Sequence, residues 1–249
     1  EVPWSEASRF GIMNVDGDDM VEEFEEKPKH PRSNLASMGI YVFTWKTLRA
    51  YLEADEANPA SENDFGKNVI PAMLGNGEKM AAYRFTGYWK DVGTLESLWD
   101  ANMDMLSPES GLDLLDESWP IYAKSISMPT AYLGKHARVS HSAFNRGGDL
   151  EGRIENSVLS AGVNVEEGAS ISYSVLMPGV TVKAGAVVEY AIVGQDAMIG
   201  ENCRVGTSPE TVDPLAWGLS VLAPGCVLEA GTVVPPKTML DKNGEEVAR

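Results

Sequence analysis

Two short segments of the sequence carry side chains that bind metal ions and phosphates. Asp91 lies in Gly87-Tyr88-Trp89-Lys90-Asp91-Val92-Gly93-Thr94, between aromatic residues and a glycine. Carboxylate oxygens are natural ligands for Mg²⁺, and glycine lets the backbone turn sharply beside one. Glu26 and Lys27 are adjacent in the second segment. A lysine offers a point charge to a phosphate, and a glutamate accepts hydrogen bonds from sugar hydroxyls. This combination predicts a site for a metal ion and a sugar phosphate.

Each segment taken alone also fits a purely structural role. Asp91 stands before a predicted helix, where the helix dipole favours an acidic residue. Glu26 and Lys27 belong to a charged cluster over 22–29, and such clusters are usually solvated faces. The chemical interpretation therefore depends on the rest of the chain.

Composition limits the classes of protein to consider. The 249 residues are 43% hydrophobic and 23% charged, which is enough for a globular protein of two domains. The net charge of -17 leaves no large basic surface, so we expect neither nucleic acid nor a membrane as partner. The two cysteines and the absence of a long apolar run or signal peptide predict the cytoplasm. Because the chain begins with Glu1 and not Met, we expect it to be part of a longer protein.

Residues 1–106 show alternating strand and helix patterns, which predict a layered α/β domain. A turn at Asp16–Asp19 separates two strands and predicts a hairpin. The predicted strands are 10–15, 20–24, 37–43 and 80–85, and helical spacing occurs at 48–52, 65–74 and 95–106. Thr94 is placed to cap the last of these helices.

The remaining sequence follows a different pattern. Residues 107–130 are rich in proline, serine and acids and predict a connector. From 131 to 249 apolar residues recur every six positions, which predicts a left-handed parallel β-helix. Phe144–Gly152 and Gly206–Gly218 interrupt the repeat and are predicted to be loops. Cys203 and Cys226 are predicted to be buried in the coils. The predicted inward rows are Val163, Ala169, Val175; Val180, Ala186, Ile192, Met198; and Val221, Val227, Val233.

Five motifs, in order, resemble those of the bacterial glucose-1-phosphate adenylyltransferases (ADP-glucose pyrophosphorylases), over essentially the whole chain. The motifs are Glu6-Ala7-Ser8-Arg9-Phe10-Gly11-Ile12-Met13, Phe24-Glu25-Glu26-Lys27-Pro28, Ser37-Met38-Gly39-Ile40-Tyr41, Asn63-Asp64-Phe65-Gly66-Lys67 and Tyr88-Trp89-Lys90-Asp91-Val92-Gly93-Thr94. The resemblance implies a nucleotidyltransferase (Rossmann-like, mixed sheet) domain over 1–106, a connector over 107–130 and a left-handed β-helix of hexapeptide repeats over 131–249.

The resemblance also implies an activity. Glucose 1-phosphate attacks the α-phosphorus of ATP, which forms ADP-glucose and pyrophosphate, the activation step of bacterial glycogen synthesis. Glu26 and Lys27 match the pair that contacts glucose 1-phosphate, with Lys27 on the phosphate. Gly11 and Ser37 match further substrate contacts, and Asp91 matches one of two aspartates that hold the catalytic Mg²⁺. The family is typically a homotetramer under allosteric control. Asp64 and Lys67 are expected to have supporting roles.

One departure from the family pattern qualifies the expected activity. The glycine-rich nucleotide loop and the first metal aspartate do not occur in these residues, so we expect the chain to be inactive alone.

Two alternatives stay open. The first is a related nucleotidyltransferase for another sugar phosphate or base. The second is a non-catalytic regulatory or scaffolding subunit, alone or in a hetero-oligomer with a paralogous subunit. A hexapeptide-repeat acyltransferase using His30, His136 or His141 is disfavoured, because all three histidines precede the regular coils.

Overall fold

The chain forms two compact units. A computed structural model describes residues 1–114, 116–122 and 127–248. The units are Glu1–Trp89 and Lys90–Arg249, so the division falls inside the Tyr88–Thr94 segment. Within the predicted connector, residues 115 and 123–126 lie outside the described residues. The predicted domain bounds stay a prediction.

The first unit is built around the predicted hairpin, which is confirmed. Strands β1 (Gly11–Val15) and β2 (Val21–Glu26) pair antiparallel. The Asp16 carboxylate accepts hydrogen bonds from the backbone N–H groups of Asp18 and Met20, both at 2.9 Å. An aspartate that bonds to its own turn in this way fixes the turn and with it the register of the strands.

The strands predicted at 37–43 and 80–85 are wrong. Ala36 and Ala81 each form one isolated bridge to the hairpin, and neither segment continues as a ladder. Among the described residues no further strand lies beside them. Ile40 is 73% exposed and Val42 is 98% exposed. A strand needs a continuous hydrogen-bonded partner as well as suitable side chains, and each of these segments bonds to the hairpin at its first residues alone.

The helical predictions for the first unit are confirmed. A 3-10 turn covers Ala7–Arg9, and helix α1 covers Trp45–Glu56. A π-helical turn at Phe65–Val69 continues into α2, Ile70–Gly75. The Asp64 side chain starts this run by accepting a 2.8 Å hydrogen bond from the backbone N–H of Lys67. Val69, Ile70 and Met73 are buried.

The second unit contains a parallel β-helix, as the six-residue period predicts. Its strands form three parallel sheets of six, and each sheet takes every third strand in chain order. The left-handed winding stays a prediction. The strands are β3 Tyr132–Leu133, β4 Arg138–Ser140, β5 Ala143–Phe144, β6 Asp149–Leu150, β7 Arg153–Glu155, β8 Val158–Leu159, β9 Asn164–Val165, β10 Ser170–Ser172, β11 Val175–Leu176, β12 Thr181–Val182, β13 Val187–Glu189, β14 Ala191–Val193, β15 Met198–Ile199, β16 Arg204–Val205, β17 Ser220–Leu222, β18 Val227–Leu228, β19 Val233–Val234 and β20 Met239–Leu240.

The inward row is displaced from the predicted one. From β7 to β16, register partners on successive turns are 17 positions apart, as Ser170 and Val187 are. Three six-residue repeats need one residue more, so a row counted from Val180 arrives one residue late, at Met198. The predicted row is also wrong at Val227 and Val233, which pair in register with the exposed Met198 and Arg204. Met198, Val227 and Val233 are 37%, 48% and 65% exposed. In each case the next residue is the buried one, namely Ile199, Leu228 and Val234.

A ladder of buried serines joins the turns at one corner. The Ser157 hydroxyl oxygen accepts from the backbone N–H of Ser174 at 3.1 Å, and the Ser174 hydroxyl oxygen accepts from Ala191 N–H at 3.1 Å. Each hydroxyl also donates to a carbonyl, that of Glu155 at 2.7 Å and of Ser172 at 2.8 Å. Both serines are fully buried, and the ladder satisfies their hydroxyls inside the coil.

One of the two predicted interruptions is a loop. Phe144–Gly152 is wrong as an interruption, because it contains β6 and a tight turn in which Gly147 and Gly148 have φ of 72° and 87°. Gly206–Gly218 is confirmed as a loop outside the sheets, with a 3-10 turn at Pro209–Thr211. We call it the insertion loop.

The two cysteines are free and fully buried, as predicted. Burial raises the pKa of the Cys226 thiol, which keeps it in its neutral, weakly reactive form.

Helix α3 (Leu95–Asp104) packs on the outside of the β-helix. It begins as predicted at Thr94, whose hydroxyl oxygen accepts from Ser97 N–H at 3.1 Å while Thr94 N–H donates to the Ser97 hydroxyl at 3.2 Å. Leu95 and Leu98 pack against Ile192 and Val221. Ile192 and Val221, which were predicted to face inward, are therefore buried from outside by α3. No helix in the described part of the chain is long and apolar enough to cross a membrane.

The displaced row gives a stability prediction. Ile199 is fully buried and the neighbouring Met198 is 37% exposed. We expect Ile199→Ala to lower the free energy of unfolding by about 2–5 kcal/mol, because it leaves a cavity in the coil. The matched variant Met198→Ala should cost less than about 1 kcal/mol. Urea denaturation of both variants measures the difference, and equal losses would contradict the displacement.

A surface ion pair gives a pH prediction. Lys183 Nζ lies 2.7 Å from Glu166 Oε1, and this contact holds the pKa of Glu166 below its usual value. A lowered folded-state pKa stabilises the fold above the unfolded pKa, about 4.3, and the contribution disappears as the pH falls further. Because both side chains are partly exposed, we expect Lys183→Gln to cost roughly 0.5 kcal/mol at pH 7 and nothing near pH 2. Denaturation against pH measures this, with Lys135→Gln as control.

Candidate functional site

The end of the hairpin holds the Glu26 carboxylate over two glycines. Gly11 and Glu26 are register partners. A Cβ atom on Gly11 would lie 2.8 Å from Glu26 Oε2, and one on Gly66 would lie 2.6 Å from the same oxygen. Both distances are too short for a carbon atom, so the carboxylate occupies space that any other residue type would fill. We call this arrangement the glycine seat.

Lys27 brings its ammonium to the same side as the Glu26 carboxylate. Successive side chains of a regular strand point to opposite faces. Lys27 leaves the strand with φ of 48°, in the left-handed region, and its backbone N–H donates to Phe10 O at 3.0 Å. Lys27 Nζ then lies 3.7 Å from Glu26 Oε1. The Lys27 side chain is 67% exposed, so its ammonium is accessible to a ligand.

Ser37 lies beside the glycine seat. Its backbone N–H donates to Gly11 O at 2.7 Å, and its hydroxyl shares a 2.6 Å hydrogen bond with the Tyr41 hydroxyl. Burial raises the pKa of Tyr41, and the negative charges of Glu26 and Asp64 raise it further, although the bond to Ser37 opposes this. Tyr41 therefore stays a neutral hydroxyl, able to donate a hydrogen bond.

Asp64 and Lys67 act on local structure. Asp64 caps the turn that carries Gly66. Lys67 Nζ lies 2.6 Å from Glu62 Oε2, and this bond raises the pKa of Lys67, with smaller contributions from Asp64 and Glu26. Lys67 therefore stays charged, near the carboxylates of Asp64 and Glu26.

The hairpin end thus brings together all four predicted sugar-phosphate residues. Gly11, Glu26, Lys27 and Ser37 are connected through the contacts described above, and an ammonium, a carboxylate and two hydroxyls converge. Gly66 and Tyr41 were not among the predicted site residues, although both lie within the motifs that carry the resemblance. A glycine just after the helix cap Asp64 was the available signal for Gly66.

Asp91 lies in the second unit, beside the start of α3. It is half-buried, and a Cβ atom on Gly93 would lie 3.0 Å from Asp91 Oδ2, so the glycine lets the carboxylate approach the backbone. Lys90 Nζ binds Asp104 at 3.1 Å and Asp100 at 3.6 Å, both on α3.

The described residues hold no group of three or more His, Cys, Asp or Glu arranged around a metal ion. Mg²⁺ is commonly held by one or two carboxylates together with substrate phosphates, and Asp91 fits the role of one such carboxylate. Its role as a ligand is a proposal.

Two protein families match the chain, one over its α/β part and one over its β-helix. Residues 1–108 match the nucleotidyl transferase family, and residues 134–217 match the GlmU-like C-terminal hexapeptide family.

Curated relatives match along nearly the full chain. A glucose-1-phosphate adenylyltransferase of Desulforamulus reducens is 46% identical over 100% of this chain and 61% of the relative. The enzyme of that name from Clostridium beijerinckii is 50% identical over 94% of the chain and 58% of the relative. That of Bacillus cereus strain Q1 is 54% identical over 97% of the chain and 56% of the relative. The chain thus spans between 56% and 61% of the length of these three relatives. By sequence the chain is similar to the glucose-1-phosphate adenylyltransferases, with a part that matches nucleotidyl transferases followed by a hexapeptide-repeat β-helix.

Proposed function

We propose that the protein to which this chain belongs converts ATP and glucose 1-phosphate into ADP-glucose and pyrophosphate, the activation step of bacterial glycogen synthesis. The names of its relatives support the reaction. The observation that carries the proposal is the glycine seat, where the Lys27 ammonium lies 3.7 Å from the Glu26 carboxylate. A cation beside a hydrogen-bond acceptor suits a ligand that has both a phosphate and sugar hydroxyls.

In the proposed reaction a phosphate oxygen of glucose 1-phosphate forms a bond to the α-phosphorus of ATP. The bond from that phosphorus to the pyrophosphate oxygen breaks, and pyrophosphate leaves. Lys27 binds the sugar phosphate and offsets its charge, while Glu26 accepts hydrogen bonds from the sugar and fixes its orientation. Ser37 and Tyr41 add hydroxyl groups beside them. Asp91 would hold Mg²⁺ in part, and the ion would stabilise the charge that moves to the leaving group.

The proposal extends to assembly and location. We propose a cytoplasmic homotetramer, controlled by small metabolites, in which the β-helix supplies subunit contacts. Exposed apolar side chains on the outer surface support such contacts, since Met198 and Val227 are register partners and both point outward. Analytical ultracentrifugation tests the assembly.

Two alternatives make different predictions. A related enzyme would prefer mannose 1-phosphate or N-acetylglucosamine 1-phosphate, so parallel titrations with the three sugar phosphates separate it from the proposal. A regulatory or scaffolding subunit, alone or in a hetero-oligomer, would show no turnover and would tolerate loss of Lys27. The glycine seat favours the enzyme, because a subunit without substrate gains nothing from holding a carboxylate beside an accessible ammonium.

Lys27 gives the first test of the proposed site. In the full-length protein we expect Lys27→Ala to raise the KM for glucose 1-phosphate about 10- to 100-fold, because a hydrogen bond to a charged group is lost. The KM for ATP should change less than about two-fold, since Lys27 is assigned to the sugar phosphate. Steady-state kinetics measure both constants.

Lys29→Ala is the matched control, because Lys29 is an exposed lysine two positions away. It should leave both constants near their native values. An unchanged KM for glucose 1-phosphate in Lys27→Ala would rule out the proposed role of Lys27.

The glycine seat gives a second test. Gly66→Ala puts a methyl group 2.6 Å from Glu26 Oε2, so the carboxylate must move. We expect the KM for glucose 1-phosphate to rise about ten-fold, because the displaced carboxylate loses its hydrogen bonds to the sugar, worth roughly 1.5 kcal/mol. Gly75→Ala is the control, because an added Cβ there meets nothing within 4 Å. Equal kinetic constants in the two variants would show that the glycine seat does not determine the position of the Glu26 carboxylate.

A further inference from the structure

Four aromatic residues of the second unit join three different parts of the chain. They are Trp99 on α3, Tyr173 and Tyr190 at neighbouring corners of the β-helix, and Trp217 in the insertion loop, and we call them the aromatic clamp. The Tyr173 and Tyr190 rings stack at 4.7 Å with an angle of 7° between their planes. Trp217 meets Tyr190 edge-on at 5.5 Å, and Trp99 lies 6.0 Å from Tyr190.

Hydrogen bonds fix both tryptophans. Trp99 Nε1 donates to the carbonyl oxygen of Tyr173 at 2.8 Å, so α3 is bonded directly to a corner of the coil. Trp217 Nε1 donates to the carbonyl oxygen of Thr207 at 2.9 Å, within the insertion loop. Each indole is therefore held in one orientation, and Tyr190 lies between the two.

The two tyrosines have an unfavourable backbone conformation. Tyr173 and Tyr190 have φ of 46° and 49°, in the left-handed region that a bulky residue rarely adopts. His141 and Asn156 occupy the same corner on the two preceding turns and have φ of 44° and 46°, so the corner of the coil sets this conformation and the aromatic rings do not. A glycine would form the corner at no such cost, so the aromatic rings have a use beyond turning the chain.

The helix held by the clamp carries the Asp91 turn at its N-terminus. Thr94 and Ser97 join the turn to α3 through the reciprocal capping bonds, and Lys90 reaches back to Asp104 at 3.1 Å. Asp91 lies between these two attachments. A shift or rotation of α3 on the coil therefore moves the Asp91 carboxylate with it.

We propose that the insertion loop, acting through the aromatic clamp, positions the Asp91 turn. Trp217 is then a positioning residue, which acts on the carboxylate through Tyr190, Trp99 and α3. The inference rests on the role given to Asp91 in the proposed function. It assigns to the β-helix a part in setting the geometry of the metal ligand, in addition to its part in assembly.

The test compares Trp217→Ala with Trp119→Ala in the full-length protein. Trp119 is 84% exposed and serves as the matched control. In Trp217→Ala we expect the backbone amides of 95–98 to exchange hydrogen at least about five-fold faster, because the helix start loosens. The kcat should fall about ten-fold and the Mg²⁺ concentration for half-maximal rate should rise, while the KM for glucose 1-phosphate stays within about two-fold. Trp119→Ala should match the native protein in all four measurements.

Further variants separate the possible outcomes. A Trp217→Ala protein with a lower Tm but native exchange, kcat and Mg²⁺ dependence would overturn the inference, since the clamp would then be structural alone. If Trp217→Ala does not fold, Trp99→Phe keeps a ring and loses the 2.8 Å bond to Tyr173, and it should change the same measurements in the same direction. Native exchange and kinetics in Trp99→Phe would overturn the inference as well.

Asp91→Asn distinguishes this inference from the proposed function. Unchanged Mg²⁺ dependence in Asp91→Asn would remove the role of Asp91 itself, whatever the clamp does. If Asp91→Asn alters the Mg²⁺ dependence and Trp217→Ala behaves as the native protein, the role of Asp91 stands. The positioning role proposed for the aromatic clamp is then excluded.

Discussion

A stacked row of apolar side chains inside the β-helix is the interaction on which the second unit depends. Leu176, Val193 and Leu222 occupy equivalent inward positions on successive turns and are at most 1% exposed. Each such side chain contributes about 1.5–3 kcal/mol by leaving water. The same strands present Ile192 outward to α3, so the helix that carries Asp91 rests on the outside of this stack. A carboxylate proposed to bind a metal is thus located by the packing of a repeat domain.

The hairpin end of the first unit positions its groups in a different way. There the absence of side chains matters, because Gly11 and Gly66 leave the space that the Glu26 carboxylate fills. The left-handed backbone of Lys27 then cancels the alternation of the strand and brings two consecutive side chains together. The glycines lose more conformational entropy on folding than other residues, and the left-handed lysine strains the backbone. A protein retains such unfavourable features where the resulting geometry is useful.

Periodic features of the fold were predictable from the sequence, and features that depend on partners were not. The hairpin and the β-helix follow from turn chemistry and from a repeat that every coil must obey. Residues 37–43 have strand-forming side chains, but side-chain preference does not show whether a neighbouring strand exists. The inward row was misplaced at Met198 because a turn is one residue shorter than three repeats. The length of a turn is known only once the register of the paired strands is known.

The site shows the same division. Glu26 and Lys27 were predictable because their charges suit a sugar phosphate and because they stand in a recognisable motif. Gly66 was missed because its importance lies in a missing Cβ atom near a residue forty positions earlier in the sequence. The aromatic clamp was missed for a similar reason, since Trp99, Tyr190 and Trp217 follow no common period and meet through the coiling of the chain.

The insertion loop leaves the coil and returns to it without disturbing the strands. Ile192 on one side pairs in register with Val221 on the other, and β16 continues in register to β19. The pairing of the strands therefore does not depend on the length or the sequence of the insertion loop. Evolution or protein engineering can exchange the segment, and each exchange alters what packs on Tyr190, the residue between the loop and α3, while the solenoid keeps its architecture.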